Sequence, residues 1–352
     1  MKYQINPFFF FICTAFLLLT ACDSQDLSQL NEVVYVRHNG ADMPAYIHGN
    51  GSDKVFLLTL HGGGSFGLAL RTDSFREELE SRYAVVYWDQ RGQAMSQANQ
   101  SSDSLSVPER AKDVTALVAT IKAKYGEDCK LFLLGHSWGG TLGMTYLLQE
   151  GAQEQIEGWI MTSGAYDFPL VFDERLDMLQ AVIDTFQNQD RNRNLFQTGE
   201  WRELKDEFES FSEAEFQEEP ELLQPIVRQA LSLLVRNNTI EPDRNSEIYP
   251  QLIFENNILT WWLNNRRNQP FLDARAEGYA LRERLPEIEL PILLIWGEYD
   301  FSVPPSLGQI ALAEVGSSDK TLWILPRSEH FPFLSEADSY FPLVVDFVER
   351  LK

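Results

Sequence analysis

The sequence of 352 residues predicts an α/β fold with a mostly parallel central sheet, helices on both faces and an inserted helical cap. Continuous apolar runs, typical of strands buried on both faces, alternate with segments of helical spacing in both halves of the chain. Residues 166–286 interrupt this alternation with amphipathic segments and no convincing strand pattern. Alternating strands and helices build a parallel sheet, and the interruption is typical of an insertion into it.

Composition excludes some classes of partner. The chain carries 52 acidic and 29 basic residues, with a formal net charge of -23. Such a charge argues against binding to nucleic acid or to an anionic membrane surface through electrostatics. Hydrophobic residues make up 44% of a chain long enough for one large domain with an insertion, so a substantial core is expected.

The N-terminus predicts export. Residues 1–21 combine Lys2 with an apolar run from Phe8 to Thr20, which is shorter than the roughly 20 residues that span a bilayer. The segment Leu19-Thr20-Ala21-Cys22 resembles a bacterial lipobox, which implies that Cys22 is acylated and becomes the first mature residue. The resemblance implies an exported bacterial lipoprotein, tethered to a membrane of the cell envelope by its lipid anchor alone. Residues 22–31 are polar and are predicted to form a flexible tether.

Cysteine usage fits this interpretation. Cys13 lies in the predicted signal and Cys22 would be acylated, which leaves Cys129 without a cysteine partner for an intramolecular disulfide. We interpret Cys129 as a small structural residue.

The first part of the core is predicted to span residues 32–165. Two loops in it follow strands directly. His61-Gly62-Gly63-Gly64 follows the strand at 54–60, and its glycines free backbone N–H groups to face a ligand. Asp89-Gln90-Arg91-Gly92 follows the strand at 84–88, and we expect it to orient neighbouring loops rather than to contact substrate. The other predicted elements are a hairpin at 32–37 and 43–48, helices at 68–82 and 107–125, and strands at 130–136 and 156–162.

The cap is predicted at residues 166–286, with helices at 171–186, 201–211, 221–235 and 255–267. The second part of the core follows at residues 287–352. Its elements are strands at 290–296 and 321–325 and helices at 305–315 and 335–351.

Ser137 is the candidate nucleophile. The segment Gly135-His136-Ser137-Trp138-Gly139 lies where a strand turns sharply into a helix, and such a turn exposes its serine hydroxyl in a strained backbone conformation. The motif alone also fits an ordinary Gly/Ser turn, but the flanking strand and helix favour catalysis.

A serine nucleophile needs a base, and the base needs an acid. Of the five histidines, His330 alone lies in a loop that follows a strand beyond Ser137. Asp300, after the preceding strand, is the preferred carboxylate to orient the imidazole. Weaker candidates for that carboxylate are Asp167, Glu298 and Glu329.

The chain order Ser137, Asp300, His330, each after a strand, resembles that of the α/β-hydrolase fold. The resemblance implies an oxyanion hole formed by the backbone N–H of Trp138 and by N–H groups of Gly63 and Gly64. This chemistry requires no cofactor, and the sequence contains no metal-ligand cluster.

A closer resemblance is to the proline iminopeptidase group. It rests on His61-Gly62-Gly63, Trp88-Asp89-Gln90-Arg91-Gly92, Gly135-His136-Ser137-Trp138-Gly139-Gly140 and Gly297-Glu298-Tyr299-Asp300. The resemblance implies that Ser137 attacks the carbonyl of an N-terminal residue while cap carboxylates bind the free ammonium of a small-molecule or short-peptide substrate. A carboxylesterase of small acyl esters and a non-catalytic binding lipoprotein on the same fold are the alternatives.

Overall fold

A computed structural model describes residues 26–98, 105–193, 199–242, 264, 274 and 277–352. Its strands are β1 (Leu30–His38), β2 (Ala41–Gly49), β3 (Val55–Leu60), β4 (Ala84–Trp88), β5 (Gln97–Ala98), β6 (Lys130–His136), β7 (Gly158–Thr162), β8 (Ile292–Gly297) and β9 (Lys320–Leu325). Its helices are α1 (Val107–Tyr125), α2 (Trp138–Leu147), α3 (Phe168–Arg193), α4 (Glu200–Glu209), α5 (Glu213–Glu218), α6 (Leu223–Arg236), α7 (Pro305–Glu314), α8 (Pro332–Ser335) and α9 (Ala337–Leu351). The predicted signal, Cys22 and most of the predicted helix at 255–267 lie outside the described residues.

One sheet organises the described chain, with the strand order β1-β2-β4-β3-β6-β7-β8-β9 and with β5 paired to β2. The β1–β2 hairpin and the β2–β4 pair are antiparallel. Every neighbouring pair from β4 to β9 is parallel. The predicted mostly parallel sheet is therefore confirmed. We call the side where β3, β4, β6, β7, β8 and β9 end the carboxyl edge, and the side where they begin the amino edge.

Both faces of the sheet are covered, as predicted. One face packs against α1, α2 and α7 through residues such as Leu117, Leu142 and Leu307. The other face packs against α9 and the segment around Phe75, with Phe347 among its buried residues. The central strands are buried on both sides because helices cover both faces, which explains their continuous apolar runs.

The segment at 68–82 differs from its prediction as one helix. It forms a 3-10 turn at Gly67–Leu70 and a π-helical segment at Phe75–Glu80. The reason lies at Gly67, where a Cβ would come within 2.8 Å of the backbone nitrogen of Trp88. The chain is held against β4 at this point, so it enters the segment by a tight turn instead of a regular helix.

The cap helices α3 to α6 have a hydrophobic core of their own. Its fully buried members include Leu179, Trp201, Leu204 and Leu234. Phe301, in the loop after β8, packs into the same core and connects the cap to the carboxyl edge. At the end of the insertion, Leu281 and Leu285 pack in the main core rather than in the cap.

The folded chain starts before Glu32. β1 begins at Leu30, and the carbonyl of Leu27 accepts a 2.7 Å hydrogen bond from the N–H of Gly51. Within the described ranges, no helix combines the length and apolarity that crossing a bilayer requires.

Candidate active site

Ser137 occupies the turn between β6 and α2 in a strained conformation, with φ 55° and ψ -117°. Residues with side chains rarely adopt this region, so the surrounding packing must impose it. The predicted exposure of its hydroxyl is wrong, because neighbouring loops bury the residue to 7% exposure. A Cβ at Gly139 would lie 1.9 Å from the carbonyl oxygen of Leu60, and one at Gly135 would lie 2.3 Å from the ring of Trp159. The two glycines of the motif are therefore required by the close approach of their neighbours.

The N-terminus of α2 lies directly after the serine. Trp138 is the first residue of this helix, and the carbonyl of Ser137 accepts the N–H of Gly140 at 2.8 Å. The first N–H groups of a helix have no partner inside the helix, and the helix dipole favours negative charge there. This end of α2 is suited to hold an anion that forms next to Ser137.

His330 and Asp300 form a buried pair at the carboxyl edge. The Nδ1 atom of His330 lies 2.8 Å from Oδ2 and 3.0 Å from Oδ1 of Asp300. The Asp300 carboxylate, fully buried, also accepts the backbone N–H groups of Ser302 and Val303 at 2.9 Å. With a carboxylate as the acceptor, Nδ1–H of His330 is the donor, and in the neutral form of the ring Nε2 is then the acceptor. This is the tautomer that a general base requires.

His136 joins the serine turn to the histidine loop. Its Nε2–H donates a 2.9 Å hydrogen bond to the carbonyl of His330, and the two ring centroids are 4.8 Å apart. Burial lowers the pKa of His136 well below its ordinary value, with the nearby His330 contributing in the same direction. His136 is therefore a neutral ring that fixes the backbone of His330 next to Ser137. No pattern in the sequence indicates this contact, because the two residues are 194 positions apart.

The glycine loop after β3 passes against the serine. A Cβ at Gly62 would lie 3.4 Å from the Cβ of Ser137 and 3.3 Å from Nδ1 of His136. Gly63 and Gly64 follow on the exposed part of the loop, and Gly64 has a φ of 71°. The loop is thus adjacent to the serine, whereas the donation by Trp138, Gly63 and Gly64 to an oxyanion stays a prediction.

Gln90 connects the glycine loop to the residue after the nucleophile. Its Nε2 donates to the carbonyl of His61 and its Oε1 accepts the indole N–H of Trp138, both at 2.9 Å. The His61 ring donates from Nδ1 to the carbonyl of Gly62 at 2.8 Å, and burial lowers its pKa to about 4. His61 thus stabilises the turn. The role of Gln90 could be found only from the strand order, which places β4 and β6 on either side of β3.

The charged residues beside Gln90 are buried and paired. The Asp89 carboxyl accepts the N–H groups of Gly67 and Met95 at 2.8 and 3.1 Å, while burial raises its pKa to about 7. Arg91 pairs with Asp113, with both side chains fully buried and a distance of 2.7 Å between Nε and Oδ2. These contacts orient loops, which is the role that the sequence analysis favoured.

The rival carboxylates have other positions. Oδ1 of Asp167 accepts the N–H of Leu170 at the start of α3. Glu298 is exposed to solvent. In the part of the chain that the structure describes, no group of three or more His, Cys, Asp or Glu side chains could hold a metal ion.

Comparison with known proteins places this geometry in context. A sequence model of the alpha/beta hydrolase family matches residues 55–342. The proline iminopeptidase of Thermoplasma volcanium is 21% identical over 299 residues, which cover 85% of this chain and 90% of that protein. The structure of proline iminopeptidase from Mycobacterium smegmatis superposes with a TM-score of 0.64 at 17% identity, covering 91% of this chain and 98% of the other. A bacterial membrane phospholipase A superposes with a TM-score of 0.57 at 18% identity, covering 98% and 93%.

Proposed function

Because this chain belongs to the alpha/beta hydrolase family and is a hydrolase, we propose that it cleaves a small acyl amide or ester through an acyl-enzyme formed on Ser137. The observation that carries the proposal is the hydrogen bond from Nδ1 of His330 to the buried carboxylate of Asp300, in a loop that His136 holds beside Ser137. A serine hydroxyl is a weak nucleophile at neutral pH, and an imidazole oriented in this way removes that weakness.

The proposed reaction has two stages. Oγ of Ser137 attacks the substrate carbonyl while its proton passes to Nε2 of His330, and Asp300 stabilises the resulting imidazolium. The N–H of Trp138 and those of the glycine loop hold the tetrahedral oxyanion, and each such donor contributes about 3 kcal/mol to the transition state. The imidazolium then protonates the leaving amine or alcohol. Water then attacks the acyl-enzyme while His330 takes its proton, and the imidazolium returns that proton to Oγ of Ser137 as the acid leaves.

An aminopeptidase acting on short peptides is the most specific form of this proposal. The similarity to the proline iminopeptidase of Thermoplasma volcanium supports it, as does the acidic character of the cap. A cleft of about 520 Å³ in the cap has Phe208 and Phe216 on its walls. Four carboxylates border it: Asp173, Asp177, Glu209 and Glu213. Carboxylates attract an ammonium group, so an acidic cap suits a substrate with a free amino end.

The nucleophile is tested by covalent labelling. A fluorophosphonate should modify the wild type once, and mass spectrometry of the digested protein should place the label on Ser137. Ser137→Ala should neither be labelled nor turn over aryl esters. Ser163→Ala is the matched control, because Ser163 is also buried and also has a positive φ, of 47°, at the end of β7. It should be labelled like the wild type. Labelling of Ser137→Ala, or a folded wild type that is neither labelled nor active, would contradict the proposal, and the second result would favour a binding lipoprotein.

The leaving group and acyl group are tested with matched substrates. Turnover of prolyl and other aminoacyl arylamides, and loss of that turnover when the amino group is acetylated, would support the aminopeptidase. Turnover of short-chain aryl esters without any aminoacyl amide would instead assign a carboxylesterase.

We further propose that Cys22 carries the lipid anchor. The protein expressed with residues 1–21 should lose them and gain acyl mass on Cys22, and it should partition into detergent. Cys22→Ser should abolish the gain of acyl mass and the partitioning into detergent. Cys13→Ser changes a cysteine inside the predicted signal and should leave the acyl mass and the partitioning unchanged, so it is the matched control.

A further inference from the structure

The chain enters the fold at the amino edge of the sheet. Leu27 packs on the main core, and its carbonyl is bonded to Gly51 in the loop that leads into β3. The register continues this edge across the sheet: Leu30 pairs with Gly49, Gly49 with Ala84, and Ala84 with Phe56. The described chain therefore begins at the amino edge.

The proposed catalytic groups lie at the opposite edge. Ser137 follows the end of β6, Asp300 follows β8 and His330 follows β9. β6 has 7 residues, and at about 3.3 Å per residue it separates the two edges by about 20 Å.

The predicted tether is short compared with this separation. Residues 23 to 26 lie between Cys22 and Leu27 in the sequence. Even a fully extended chain over that stretch reaches only about 17 Å, at roughly 3.5 Å per residue. The attachment point of the acyl chains at Cys22 therefore stays within that distance of Leu27, on the amino-edge side of the sheet.

The net charge of the chain disfavours broad contact between the domain and a negatively charged bilayer. At the amino edge the charges are mixed, since Asp128 is paired with Lys54 and Asp53 with Lys352, whereas Glu127 is exposed. The formal net charge of the whole chain is -23. An anionic lipid surface attracts basic segments and repels acidic ones.

We infer that the anchored protein stands with its amino edge toward the bilayer and its Ser137 site toward water, so that its substrates are water-soluble acyl compounds or peptides rather than bilayer phospholipids. The inference rests on the proposed hydrolase function and on the proposed anchor at Cys22. On this inference, the substrates of this chain differ in class from those of a membrane phospholipase A, although the two proteins have similar folds. An enzyme that takes acyl chains from the bilayer must bring its serine to the lipid surface.

Orientation is measured without catalysis, so its outcome is independent of the proposed function. The acylated full-length protein, with Cys129→Ala, is placed on vesicles of phosphatidylcholine and anionic phosphatidylglycerol that carry a nitroxide quencher in their headgroups. A single fluorophore is attached at Asp53→Cys on the amino edge or at Glu298→Cys on the carboxyl edge, both exposed positions. We expect quenching at position 298 to be roughly fivefold weaker than at position 53, because the tether holds the carboxyl edge beyond the reach of the headgroups. Equal quenching, or stronger quenching at 298, would overturn the inference.

A longer tether provides a second test of the orientation. A Gly/Ser insert of roughly 20 residues after Gln25 should reduce the difference between the two positions, because such a chain allows the domain to reorient. A difference that the insert does not change would show that tether length does not set the orientation.

Substrate class is tested on the same vesicles. The acylated wild type should hydrolyse a soluble aryl ester or arylamide and release no fatty acid from vesicle phospholipid. Release of fatty acid that is faster for the acylated protein than for Cys22→Ser would refute the inference. Failure on the soluble substrates together with the expected quenching pattern would reject the proposed function and leave the orientation standing.

Discussion

The indole N–H of Trp138 donates a 2.9 Å hydrogen bond to the side-chain oxygen of Gln90. The nitrogen of the same amide donates to the carbonyl of His61. An indole can only donate and a carbonyl can only accept, so the two partners fix the orientation of the amide. One buried side chain thereby sets the distance between the two backbone segments that we propose to hold the oxyanion.

Gln90→Leu should lower kcat about tenfold or more while leaving KM nearly unchanged, because a distorted oxyanion hole weakens binding of the transition state and not of the substrate. The free energy of unfolding should fall by about 1–3 kcal/mol, since buried partners lose their hydrogen bonds. Gln93→Leu is the matched control. Gln93 lies buried in the same loop, and its side-chain amide has no partner among the described residues. Steady-state kinetics and urea unfolding would compare the two variants. Equal losses of kcat in Gln90→Leu and Gln93→Leu would contradict the role of Gln90.

His136→Phe should reduce kcat by about an order of magnitude, because it removes the N–H that holds the carbonyl of His330 and lets the base move from its position. His136→Gln can still donate from its amide and should recover part of that loss. The readouts are kcat and the apparent pKa of kcat/KM. If both variants kept wild-type values for both quantities, the contact would have no part in positioning His330.

Gly139→Ala should destabilise the fold by about 3 kcal/mol, because its Cβ would collide with backbone that cannot move aside. Gly199→Ala is the comparison, since a Cβ there meets only ordinary contacts and the φ is -82°. That change should be neutral or slightly stabilising. Chemical denaturation measures both, and a Gly139→Ala protein as stable as the wild type would refute the steric argument.

His61 should make the fold sensitive to acid. Burial lowers the pKa of His61 from 6.5 to about 4, so between these values the unfolded chain binds a proton that the folded chain does not. The resulting stability is complete above pH 6.5 and is lost as the pH falls toward 4, by roughly 3 kcal/mol in all. His61→Asn cannot be protonated, so the difference in unfolding free energy between wild type and variant should narrow from pH 7 to pH 4.5. A difference that stays constant across this range would show that His61 does not titrate in this way.

The elements of the core were predictable because their signals are local. The apolar run before His61 and the run before Ser137 each end at glycines, and the structure ends β3 and β6 at these points. In a parallel sheet, the ends of such strands share one edge, so Ser137, Asp300 and His330 were expected together before any distance was known. The hydrogen bond from His330 to Asp300 is consistent with that expectation.

The links between loops were not predictable. Gln90 bridges His61 and Trp138 because β4 and β6 flank β3, and strand order is not encoded in any one segment. The segment starting at Gly67 departs from a helix because it touches β4, which is again a contact between distant parts of the chain. In the cap, periodicity located α3, but its extent, Phe168–Arg193, exceeds the predicted 171–186 because the pattern marks only the buried face.

The separate core of the cap has a consequence for how this protein can diverge. Among the described residues, α3 to α6 share a hydrophobic core that is separate from the core of the sheet, and Phe301 is one of the places where it meets the loop of Asp300. Substitutions on the cap can therefore accumulate with little effect on the strands that carry Ser137 and His330. New substrate preferences can arise by mutation of the cap while Ser137, Asp300 and His330 are inherited unchanged.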